Sequence, residues 1–92
     1  MMLNSFKEYN YCFFTMMGKY FSRKEIAKEM GSQLYSNENM TWYILYENIE
    51  DIIGFASIEE KKGYLFLDNV YINKNYRRNG YATKIIMKII SK

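Results

Sequence analysis

The sequence contains no His and no Pro, a single Cys, and only five Gly in 92 residues. Without His there is no Ser-His or Cys-His nucleophile pair, and the commonest metal ligand is missing. One cysteine, Cys12, forms neither an internal disulfide nor a Cys-rich zinc site, so the chain reads as metal-free and cytoplasmic. With no basic cluster beside it in sequence, Cys12 is expected to be a small buried hydrophobe. No apolar run approaches the roughly 18 residues of a membrane span, and the N-terminus lacks the apolar stretch and cleavage site of a signal peptide. The absence of a Gly/Ser-rich linker and of any fixed-period repeat leaves one folding unit, residues 1–92. A net charge of +3 with basic residues spread along the chain permits an anionic ligand. It does not argue for nucleic acid or a membrane surface as partner.

What is present is apolar: 49% of residues are hydrophobic and 18% aromatic, enough for a real core. Tyr9 to Met17 is aromatic and β-favouring, and periodicity within that window does not separate a strand from a helical turn. Ser22-Arg-Lys-Glu25 has the form of a capping box. Ile26, Ala27, Met30 and Leu34 follow at helical spacing, which predicts a helix from Ser22 that fades near Tyr35. From Thr41 the pattern becomes β. Strands are predicted over Thr41–Glu47, Ile52–Ile58 and Tyr64–Ile72, joined by polar turns at 48–51 and 59–63 into a three-strand antiparallel meander. The third run is apolar on both faces apart from Asp68 and Asn69, as expected of a central strand covered on both sides. Ala82, Ile85, Ile86, Ile89 and Ile90 then mark an amphipathic helix, with Lys84, Lys88 and Lys92 opposite. The fold class is α+β, an antiparallel central sheet flanked by helices.

Chemistry concentrates in Arg77-Arg78-Asn79-Gly80-Tyr81-Ala82-Thr83, between the last strand and the last helix. A strand-to-helix loop exposes free amides at the positive end of a helix dipole, which suits an anion such as phosphate. Gly80 allows close backbone approach, and two Arg offer charge in a fork geometry. The segment has neither the Lys and spacing of a Walker loop nor the three-Gly dinucleotide fingerprint.

The segment resembles the acyl-CoA-binding motif of the GNAT superfamily of N-acetyltransferases, Arg/Gln-x-x-Gly-x-Gly/Ala, here Arg77 to Ala82. The preceding Asp68-Asn69-Val70-Tyr71-Ile72 and the loop ending in Tyr76-Arg77 resemble the strand and turn that lead into that motif. The resemblance covers Thr41 to Lys92 and extends with less definition over residues 1–40. It implies acetyl-CoA as co-substrate, with backbone groups of Val70, Tyr71 and Ile72 pairing with the pantetheine arm. Amides from Arg78, Asn79, Gly80, Tyr81, Ala82 and Thr83, together with Arg77, would hold the pyrophosphate. It further implies that Asp68 is the general base, removing a proton from an incoming amine so that the amine can attack the thioester directly. A carboxylate within a buried strand would have its pKa raised by desolvation. The amine acceptor would be a small molecule or a protein Lys or N-terminus.

A typical member of that family continues past this helix with further strands and another helix that carries the usual general acid, a Tyr. This sequence has no counterpart, so the fold expected is a GNAT-like domain truncated at its C-terminal side. The shortening also motivates a reading from another class, a non-catalytic module that contacts a protein partner with or without CoA. An uncovered sheet edge would favour a homodimer.

Overall fold

The computed structural model describes residues 1–7, 11–22, 28–30 and 34–91. Among them four strands form one antiparallel sheet in chain order: β1 (Met2–Lys7), β2 (Met40–Asn48), β3 (Asp51–Lys61) and β4 (Tyr64–Ile72). Helix α1 (Tyr11–Ser22) follows β1, and helix α2 (Tyr81–Ile90) follows β4 after a short 3₁₀ turn at Lys74–Tyr76. The meander therefore has one strand more than predicted. β1 pairs with β2 from Met2 opposite Tyr46 to Lys7 opposite Thr41. Its sequence carries a weak strand signal because most of its side chains are exposed and need not be apolar.

The ambiguity at Tyr9–Met17 resolves as helix from Tyr11. Phe13, Met16, Met17 and Tyr20 are buried at i, i+3, i+4 and i+7, and Tyr20, which completes this helical stripe, lies beyond Met17. Cys12 falls off that stripe and is exposed, not buried. Ser22 is the last residue of α1 instead of the start of a helix. The rest of the proposed capping box, Arg23 to Glu25, lies outside the described residues, while 28–30 are helical.

The sheet is covered on both faces. On one, the α1 stripe and Leu34 pack on Trp42, Ile44, Phe55 and Tyr71. On the other, Ile85 and Ile89 of α2 pack on Tyr43, Leu45, Ile53 and Ala56. The alternation of β2 between the two clusters is the period-2 signature of a strand buried on both sides. The central strands are thus β2 and β3. β4 is an edge strand, and Tyr64, Leu65, Phe66 and Leu67 are between 47% and 70% exposed. An apolar sequence on both faces suggests burial, but β4 has a neighbour on one side only among the described residues.

The β3–β4 turn is tighter than predicted. Lys62 and Gly63 both have positive φ, 51° and 82°, the two-residue geometry that matches strand twist. As a result β3 runs on to Lys61, and Glu59 lies in a strand instead of a turn.

Candidate acyl-CoA cleft

β3 and β4 pair regularly except at one bulge. Ser57 faces Asn69 and Ile58 faces Leu67, so Asp68 is the extra residue on β4 with no partner across the ladder. Bulges bend a strand and re-aim a side chain. Beyond the bulge, Asn69 donates to the Ser57 hydroxyl (2.8 Å), and Tyr71 stacks on Phe55 at 5.3 Å.

After β4 the chain turns through a loop pinned on both sides. The Tyr76 hydroxyl donates to the Asp51 carboxylate (3.3 Å), and its ring packs edge-on to Tyr81. The Arg77 guanidinium donates to the Ile72 carbonyl (2.8 Å) and to Glu29 (2.6 Å), and lies 5.6 Å over the Tyr71 ring. Pairing with Glu29 raises the Arg77 pKa further, so the charge is permanent but already matched. The Asn79 side chain turns back to the Tyr76 and Arg77 carbonyls. Arg78 and Gly80 both adopt left-handed backbone, with φ of 68° and 76°. Gly80 caps α2 without a side-chain hydrogen bond, and the first helical bond runs from the Lys84 amide to the Gly80 carbonyl. The amides of Tyr81, Ala82 and Thr83 therefore precede the helical ladder, as the first donors of any helix do. A Cβ on Gly80 would meet nothing within 4 Å, so open space lies over this turn and φ alone calls for glycine.

These elements enclose an open cleft of about 800 Å³. Its walls include Asp68, Val70, Tyr71, Ile72, Arg77, Arg78, Gly80, Tyr81, Ala82 and Thr83, with Glu29 and Met30 across from the loop. Every residue singled out in the sequence is there except Asn79, whose side chain serves the loop itself. No described residue forms a hydrogen bond or ion pair with the Arg78 side chain, whereas Arg77 is occupied. This divides two arginines that the sequence treats alike.

Asp68 is exposed, contrary to the buried position expected of it. Its pKa is nevertheless raised, first by the desolvation it does suffer and then by hydrogen bonding and charge from Glu59. Sequence reasoning did not single out Glu59, which the fold brings beside Asp68. Glu59 is only 5% exposed, accepts from Asn37 (3.0 Å) and Tyr35 (3.3 Å), and lies 3.6 Å from the Lys61 ammonium. The available signal was Lys62-Gly63, a two-residue turn that carries the strand through Glu59.

The family model for the GNAT acetyltransferases matches residues 3–92. The chain belongs to the GNAT acetyltransferase family. Among solved structures it is similar to a GNAT-family acetyltransferase from Staphylococcus aureus Mu50, with a TM-score of 0.65 and 14% identity. The match covers 98% of this chain and 64% of that one, so the GNAT chain described here spans less than two-thirds of the length of that structure. At such low identity the likeness establishes the GNAT fold alone. No curated protein matches the chain.

Proposed function

We propose that this GNAT domain is an N-acetyltransferase that moves the acetyl group of acetyl-CoA to a primary amine, with Asp68 as general base. The observation that carries the reading is the single cleft shared by Asp68, the strand segment Val70–Ile72 and the loop from Arg77 to Thr83. The guanidinium of Arg78, without a hydrogen-bond or ion-pair partner among the described residues, and the leading amides of α2 suit the pyrophosphate of CoA. Arg77 acts differently from the family expectation: it fixes the loop through Ile72 and Glu29. The edge of β4 beyond the bulge suits the pantetheine arm, which would pair with it as an added strand.

In the reaction an acceptor ammonium first gives a proton to the Asp68 carboxylate, directly or through water. The amine nitrogen then attacks the thioester carbon; the C–N bond forms, the C–S bond breaks, and CoA leaves as the thiolate, which takes the proton that the attacking nitrogen loses. The site contributes positioning and polarises the thioester through backbone amides. An open cleft suits a protein Lys or N-terminus, whose own surface would complete the acceptor wall, better than a small amine. The exposed edge of β4 supports a homodimer, which light scattering at tens of micromolar would detect.

Turnover tests the reading. Release of CoA thiol from acetyl-CoA should depend on an acceptor amine and be lost in Asp68→Asn. Acetyl-CoA binding without thiol release, across peptide and small-amine acceptors, would contradict it.

A further inference from the structure

Glu59 and Asp68 lie on adjacent strands at the one irregularity in their pairing. Because β3 alternates, Phe55, Ser57 and Glu59 share a face, and Asn69 reaches Ser57 on that same face. The bulge frees Asp68 from the ladder beside Glu59, close enough for Glu59 to raise the Asp68 pKa. Two carboxylates so close have only acceptors to offer each other, so the charge on one disfavours the charge on the other. Glu59 cannot turn away, because Asn37 and Tyr35 hold its two oxygens.

We propose that Glu59 is a positioning residue for Asp68: a buried second carboxylate, clamped by Asn37 and Tyr35, that orients the base and favours its taking the acceptor's proton. The inference rests on Asp68 as the base. The charged and titratable groups around the pair are Glu59 and Lys61 of β3 and Tyr35 before β2. Across the cleft Arg77 is matched by Glu29. The Asn37 hydrogen bond, first among several causes, lowers the Glu59 pKa, while desolvation and Glu59 raise that of Asp68 against the opposing influence of Lys61. Of the two carboxylates, Asp68 therefore has the greater affinity for a proton. An acceptor ammonium needs a base of raised affinity for protons, and an ordinary carboxylate is too weak at neutral pH.

The chain has only two aspartates, Asp51 and Asp68, so carboxyl ¹³C NMR of aspartate-labelled protein gives two titrations, assigned with Asp68→Asn. The Asp68 midpoint should lie above the ordinary aspartate value and fall in Glu59→Gln, while Asp51 stays in place. An unchanged Asp68 midpoint in folded Glu59→Gln would overturn the proposal. Should that variant not fold, Asn37→Ala leaves the carboxylate but removes its clamp. The Glu59 pKa should then rise and the Asp68 midpoint fall, and no movement would again overturn the proposal. In kinetics the acid limb of the kcat/KM profile should follow the NMR midpoint. An NMR shift in a wild-type chain that transfers no acetyl group would overturn the base role of Asp68, and with it the positioning role, while leaving the carboxyl pair intact.

Discussion

Strand β4 is no less apolar in sequence than β2, yet β2 forms the centre of the molecule and β4 its rim. Trp42, Tyr43, Ile44 and Leu45 are fully buried between α1 and α2, whereas Tyr64 to Leu67 are exposed on an edge. What separates them is the presence of neighbours, which hydrophobicity alone does not encode. β4 itself divides at its bulge: Tyr71, beyond it, is buried against Phe55 and Tyr20, while the residues before it stand in solvent. The cleft begins where that division falls.

The contrast predicts a gradient of mutational cost. Trp42→Ala removes the largest side chain of the α1 face and should cost about 3–5 kcal/mol in equilibrium unfolding. Gly54→Ala comes next. A Cβ there would lie 2.5 Å from the Ile72 side chain and 2.6 Å from the Tyr71 carbonyl, so β3 and β4 must separate, at about 1–3 kcal/mol. Leu65→Lys, on the exposed part of β4, should change stability by no more than about 0.5 kcal/mol. It should also reduce self-association, because a charged edge resists strand pairing. A large loss of stability in Leu65→Lys would mean that β4 is covered in solution.

A pH-dependent contrast sharpens the picture at the bulge. The folded pKa of Asp68 is raised, so its charged form is disfavoured in the fold and it detracts from stability above that pKa. Asp68→Asn should therefore raise Tm near neutral pH, and the gain should shrink as the solution is acidified through the raised Asp68 pKa. Glu59 has the opposite sign. Its lowered folded pKa contributes stability at neutral pH that is lost as the pH falls through it. Asn37→Ala should lower Tm at neutral pH and matter less in acid. Thermal scans at several pH values check both.

Much of this arrangement is legible in the residues. The Gly80 turn, the α2 stripe and the strand order from β2 to β4 follow from periodicity and turn chemistry, and the loop motif carries the family. Three features are not legible, each for a physical reason. β1 is mostly exposed and needs no apolar alternation. Arg77 and Arg78 are neighbours of identical chemistry, and only the fold brings Glu29 and the Ile72 carbonyl to one of them. Glu59 reads as part of a charged turn until the two-residue turn at Lys62-Gly63 extends β3 and buries it.

The most direct test of the cleft is thermal unfolding with and without acetyl-CoA. Ligand at about 100 times its dissociation constant should stabilise the fold by about 2.7 kcal/mol. In a domain of this size that is a rise in Tm of roughly 10 °C or more. The account predicts that rise in the wild type and a smaller one in Arg78→Glu. A cooperatively folded chain whose Tm does not move with acetyl-CoA would contradict it.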